Sequence, residues 1–309
     1  MKNLLYQKRR PSLEKILGWI FATVSILLLC IQILYYAVLL PNGFQAIYDW
    51  LPYCLNGGIL IFGAGALICL LLPGKKGLFF ILSGFFLLFT TDLVFFFLFG
   101  TSCRTEVRFS PQGGNQVIVK QEKESGTTRV YRHPILWVLA KPSDEFPHPV
   151  QGDMKFQWIT SDICTITYQT DGGETHQYTA TYGERGDGIS YFYVLNALRG
   201  SWINSDEGQP APLLNVGADE IVLTSTDGTK RLRFSAENCV QFGTTSLTLC
   251  TEDGIPLYSL SMDENCTLDQ NDNVRTGGTL LLCPVSMEDT DAFFYERVST
   301  PPESAEQRT

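Results

Sequence analysis

Asp92 is the residue whose type and setting most suggest chemistry, because it places a carboxylate inside an otherwise apolar run from Gly77 to Gly100. An ionisable group in hydrocarbon is costly and normally faces a partner group or a wet cavity. Asp92 lies eight residues before Gly100, and Gln32 lies eight residues before Leu40, the end of another apolar run, which predicts similar depths for the two. Three readings follow. The pair could belong to an ion or proton relay, or Asp92 could dock a partner's membrane helix. Alternatively, a protonated Asp92 could bond to Gln32, Thr90 or Thr91 as glue between helices. A relay needs a chain of such groups and the run offers one acid, so helix glue is the simpler expectation.

Thiols come next. Cys54, Cys103, Cys164, Cys239, Cys250, Cys266 and Cys283 lie outside the three longest apolar runs. In an oxidising compartment the six from Cys103 onward could pair in fifteen ways, so spacing does not decide connectivity. Cys54 and Cys103 form an attractive pair because both should sit close to one membrane surface. The competing reading is buried thiols acting as small hydrophobes: Cys164 alternates with Ile166 and Tyr168, and Cys283 with Leu281 and Val285. Both readings stand at this point.

Other chemistry is sparse. No Cys-x-x-Cys pair suggests zinc, and no nucleophile turn, zinc-protease helix or phosphate-cradling loop occurs. Of three histidines, His133 and His148 each precede proline in loop-like sequence, and with His176 they are expected at the surface. Asp269-Gln270-Asn271-Asp272-Asn273 begins like a calcium loop. Val274 then stands where glycine is required and Leu280 where a bidentate glutamate is required, which leaves a turn. The adhesion tripeptide Arg185-Gly186-Asp187 is too short to carry weight. No cofactor is implied.

The elements that hold these residues fall into two unlike halves. Residues 1–100 carry seven Lys/Arg and three acids, whereas 101–309 carry sixteen Lys/Arg and twenty-nine acids, a net −13. An acidic half disfavours nucleic acid and anionic lipid, both of which are held through Lys and Arg. Three membrane helices are predicted at 16–40, 57–72 and 77–100 behind a basic stretch at 1–15. The first run exceeds a signal peptide's apolar region and ends at Leu40-Pro41-Asn42-Gly43 without a small-residue cleavage site. Lys2, Lys8, Arg9, Arg10, Lys15, Lys75 and Lys76 mark cytoplasmic flanks, and the Pro41–Asn56 loop has no Lys or Arg. Arg104 and Arg108 weigh against this assignment, but the balance places 101–309 outside. Gly63-Ala64-Gly65-Ala66 would admit a close neighbour, either within the bundle or from a partner.

Past Gly100 the pattern becomes antiparallel strands with one short helix, in two β modules at 102–203 and 213–298. A polar linker over 204–212 separates them, and a disordered tail over 299–309 follows. Asp171-Gly172, Asp227-Gly228 and Asp253-Gly254 each mark a hairpin. Tyr191, Val194, Leu195 and Leu198 recur at helical spacing near 190–199, with Ser190 as cap and Gly200 as stop.

Phe109-Ser110-Pro111-Gln112-Gly113-Gly114, Phe156-Gln157-Trp158-Ile159 and Asp162–Tyr168 together resemble uncharacterised membrane-anchored β-domain proteins of Gram-positive bacteria. In these a Ser-Pro-x-Gly turn precedes a Trp-containing strand. The resemblance implies an anchored β domain and no particular chemistry. The expected role is a non-enzymatic binding, sensory or accessory module of the cell envelope. It would lie in the bilayer with a membrane-protein partner or further copies of itself, and without nucleic acid. The alternative is an extracytoplasmic hydrolase of cell-wall or peptide substrates with a site between the modules.

Overall fold

A computed structural model describes residues 12–185, 192–205, 211–269 and 272–298, and the backbone but not the side chain of His133. Three long apolar helices precede mostly antiparallel sheets, the fold class expected from sequence. Helix α1 spans Leu13–Leu34, α2 Leu51–Leu71 and α3 Lys75–Phe95, with wider π-helical turns extending α1 to Leu39 and α3 to Gly100. At 1.5 Å per residue, spans of 27, 21 and 26 residues suffice to cross a hydrocarbon core of ~30 Å. The chain is thus a membrane protein.

Helix α2 begins at Leu51, ahead of the expected Gly57. Pro52 in its first turn gives up an N–H that has no helical partner there, and the polar Asn56 lies inside the helix because its amide is satisfied by neighbouring helices. Small residues bring α2 against α1. A Cβ added at Gly65 would meet the Phe21 ring at 2.8 Å, and one added at Gly18 would meet Leu70 at 2.8 Å. Gly57 and Gly63 lie against Phe89 and Phe85 of α3. Gly57, Gly63 and Gly65 of α2 thus pack within the chain.

The described part of the chain forms two compact units. The first comprises the helices with residues up to Glu106 and Ile118–Glu145. Its sheet is built from β1 (Gln45–Ala46), β2 (Cys103–Phe109), β3 (Gln116–Glu122), β4 (Thr128–Ile135) and β5 (Leu139–Glu145), in the order β1-β5-β4-β3-β2. Strand β1 is part of the loop between α1 and α2. Gln45 pairs with Ala140 and Ala46 with Leu139, antiparallel.

The second unit comprises Val107–Val117 and the chain from Phe146 on. It holds a three-stranded sheet of β6 (Gln151–Trp158), β7 (Ile163–Gln169) and β8 (Thr175–Thr181). It also holds a nine-stranded sheet: β9 (Gly200–Asn204), β10 (Leu213–Val216), β11 (Glu220–Thr224), β12 (Arg231–Ser235), β13 (Cys239–Phe242), β14 (Ser246–Cys250), β15 (Pro256–Met262), β16 (Thr279–Pro284) and β17 (Phe293–Arg297). Every neighbour in that sheet is also a neighbour in sequence, except that β17 returns to pair with β9. The result is a nearly closed barrel. Its one open seam lies between β12 and β13, joined by a short 3₁₀ turn over Ala236–Asn238. Trp202, Phe234, Leu260, Leu280 and Tyr295 are among the side chains that fill its interior.

These boundaries differ from those expected. Residues 118–145 belong with the helices, and β9 is an inner strand of the barrel rather than the end of a preceding module. The polar stretch 204–212 joins two paired strands of one sheet, so it is a connection within a module; residues 206–210 lie outside the described ones, as do the basic stretch 1–11 and the tail from 299. The helix is a single turn, α4 (Val194–Ala197), pressing Val194 and Ala197 into the barrel core; Ser190 and Tyr191 lie outside the described residues. The three Asp-Gly hairpins form as expected, but with longer loops. The residue with positive φ is Gly173, Gly228 or Gly254, and the aspartates keep ordinary backbone angles.

Candidate functional site

Each membrane helix contributes one polar side chain to a single hydrogen-bonded row. Gln32 Nε2 of α1 donates to Asn56 Oδ1 of α2 at 2.5 Å, and Asn56 Nδ2 donates to Asp92 Oδ1 of α3 at 2.9 Å. Gln32 and Asp92 are therefore brought together through Asn56 rather than directly. Thr90 and Thr91 donate to Phe86 and Leu87 carbonyls of their own helix and take no part. Reading the apolar run as starting after Asn56 hid the central member. The signal that reveals it is a carboxamide or carboxylate one to two turns inside the same end of three successive spans. The row links α1 to α2 and α2 to α3 by hydrogen bonds, and two of its three members are carboxamides, which donate and accept without releasing protons near neutral pH.

An apolar groove runs along α2 and α3 below the row, toward Lys75. Leu60, Ala64 and Ile68 face Phe79, Ser83 and Phe86 across this groove of about 710 Å³.

Above the row, the α1–α2 loop is built into the sheet. Ile47 N–H donates to Val138 O at 2.8 Å, and Thr105 Oγ1 donates to Ile47 O at 3.2 Å. Lys120 of β3, whose side chain is 8% exposed, pairs with Asp49, donates to Ala46 O at 3.1 Å and faces the Tyr131 ring. Tyr131 Oη donates to Gln45 Oε1 at 2.8 Å, and burial pushes its phenol up to about 12. Apart from the Lys120–Tyr131 contact, each of these joins residues 45–49 to chain that lies more than fifty residues later.

In the second unit, Asp162 and Arg185 form a bidentate ion pair at 2.6 and 3.0 Å. The guanidinium also donates to the Met262 and Asp263 carbonyls, which ties the β6–β7 turn to the end of β15. Burial alone would raise the Asp162 carboxyl, but hydrogen bonds from Arg185 and Thr160 and the guanidinium charge outweigh it and hold the group below its usual range. With Arg185 committed inward, the Arg185-Gly186-Asp187 tripeptide is not presented as an adhesion motif; Gly186 and Asp187 lie outside the described residues.

His148 and His176 meet as a tilted ring pair with centroids 4.2 Å apart, and His176 Nε2 is 3.4 Å from Glu174. Burial, then the neighbouring His148, lower the His176 pKa, and Glu174 opposes the shift. Their surface assignment thus holds for His148 but not for His176, which is buried on β8. Among the described residues no group of three His, Cys, Asp or Glu converges to hold a metal ion. The turn at Asp269 is closed by its own carboxylate, which accepts from Asn273 N–H at 2.9 Å. Gln270 and Asn271 lie outside the described residues.

All nine cysteines are free thiols, so the structure contains none of the disulfides considered above. Cys164, Cys250, Cys266 and Cys283 are buried, and burial pushes Cys164 and Cys283 up to about 12 and Cys266 to about 11. Cys239 packs half-buried against the barrel core. Cys54 is exposed on α2, whereas Cys103 turns toward Asp49. Burial and that carboxylate raise the Cys103 thiol.

Comparison of the chain with protein-family models, with curated proteins and with solved structures finds no match.

Proposed function

We propose that this chain is a non-enzymatic binding or sensory module of the cell envelope that works with a membrane partner. The N-terminus is cytoplasmic and the β region lies outside. One observation carries the reading: the loop between the first two spans is itself a strand of the following sheet, locked by the Lys120–Asp49 pair. A tethered catalytic domain needs only a flexible link to its anchor. Here a force or rearrangement in the first sheet is delivered directly to the entrance of α2, whose Asn56 joins all three helices. A signal that reaches α2 in this way passes to a partner within the bilayer. The exposed α3 side chains Phe86 and Leu87 are the proposed contact.

The test has two arms. A C-terminal alkaline phosphatase fusion, active only outside the cytoplasm, should be active, and an inactive fusion beside a fluorescent green-protein fusion would reverse the orientation. A photoreactive residue at Phe86 should crosslink a membrane protein in intact cells, with yield falling in Lys120→Met. Crosslinks to lipid alone, or a yield indifferent to Lys120, would end the coupling proposal.

A further inference from the structure

The β4–β5 hairpin turns through three residues, Leu136, Trp137 and Val138, with Val138 N–H donating to Ile135 O. Leu136 and Trp137 have positive φ, 49° and 63°. Two successive turn residues at positive φ favour Asn-Gly, because a Cβ crowds the backbone in the left-handed region. Bulky apolar residues there are strained, and such strain persists where it serves a purpose. Neither side chain repays it by entering a core: Leu136 is 82% and Trp137 64% exposed. A strained corner carrying two large apolar groups outward is a poor choice for a tip surrounded by water.

Register says what surrounds it. Ala46 pairs with Leu139, and Ile47 N–H reaches Val138 O, so the corner continues past Ile47 alongside the segment that leads through Tyr48 and Trp50 into α2 at Leu51. That segment is where the chain enters the bilayer. Tyr48 and Trp50 stack there at 5.6 Å, with Trp50 42% exposed, the residue types that settle at the level of lipid headgroups. The corner thus extends an existing membrane-contacting surface.

We infer that Leu136 and Trp137 form an interfacial wedge that inserts into the headgroup region of the leaflet on the same side as the sheet, so that the first sheet rests on the bilayer as well as being tied to its helices. The occupant of this apolar tip is lipid, because the tip lies beside the helix entrance.

The test uses the full chain reconstituted into phosphatidylcholine vesicles containing lipids brominated either high or low on the acyl chain. The difference between wild-type and Trp137→Phe emission isolates Trp137 from the other tryptophans. That signal should be quenched more by the shallow bromines than by the deep ones. Replacing the corner with Asn-Gly (Leu136→Asn, Trp137→Gly) should raise the melting temperature in detergent, since strain is relieved. Absence of quenching by either lipid would overturn the proposal, as would an Asn-Gly corner that melts lower than wild type.

Discussion

Lys120 of β3 and Asp49 of the α1–α2 loop form an ion pair in which the lysine is almost wholly enclosed and the carboxylate is three-quarters covered. Removing one member of a buried pair strands the other, at a cost of about 3 kcal/mol, whereas replacing both is far less costly. Asp49→Asn should therefore destabilise more than Asp49→Asn with Lys120→Met. Hydrogen exchange should show the loss concentrated at residues 44–50. Uniform loss across the first unit would mean that the pair does not fasten the loop.

The membrane row makes a sharper distinction between its members. Asp92→Asn keeps an oxygen to accept from Asn56, so unfolding in micelles should move little. Asn56→Leu removes both hydrogen bonds at once and should cost about 1 kcal/mol, the scale measured for interhelical bonds in bilayers. Equal effects from the two substitutions would assign Asp92 a role that depends on its charge.

In the second unit, a Cβ added at Gly183 would lie 1.7 Å from the Asp162 carboxylate and 2.6 Å from Arg185. Gly183→Ala must separate the ion pair, and a loss of about 3 kcal/mol is expected. Acid should do the same reversibly. The folded Asp162 carboxyl titrates below its ordinary 3.8, so the stability it brings is complete above that value and is lost as pH falls through the lower folded one. Calorimetry at pH values from 3.8 downward should show the wild type losing more than Asp162→Asn.

His176 sets a second window. Its folded pKa lies below the ordinary 6.5, so the unfolded chain binds the proton more readily. Stability is then full above 6.5 and declines as pH falls below it. His176→Gln should flatten the melting temperature across that range. An unchanged slope would place the titration elsewhere.

The parts of this fold legible in sequence are those set by local pattern. Apolar length announces α1 and α3, and Asp-Gly pairs announce three hairpins, since each depends on residues a few positions apart. What escaped depends on distant partners. Asn56 reads as polar loop until Gln32 and Asp92 satisfy it, and Gln45–Ala46 reads as a loop between two spans until β5 supplies an edge to pair with. Gly200–Asn204 looked like the end of one module because nothing local shows that β17, almost ninety residues on, will lie beside it. His148 and His176 likewise meet only because the three-stranded sheet places them together.

Strand β1 also acts as a proofreader of biogenesis. It is synthesised between the first two membrane helices, yet its hydrogen-bonding partner β5 follows some ninety residues later, after the third helix. Strands on opposite faces of a bilayer cannot pair. A chain in which only one of the second and third helices crossed would leave the edge of β5 bare and the Lys120 ammonium without its carboxylate. Completion of the first sheet thus ties the crossing of the second helix to that of the third.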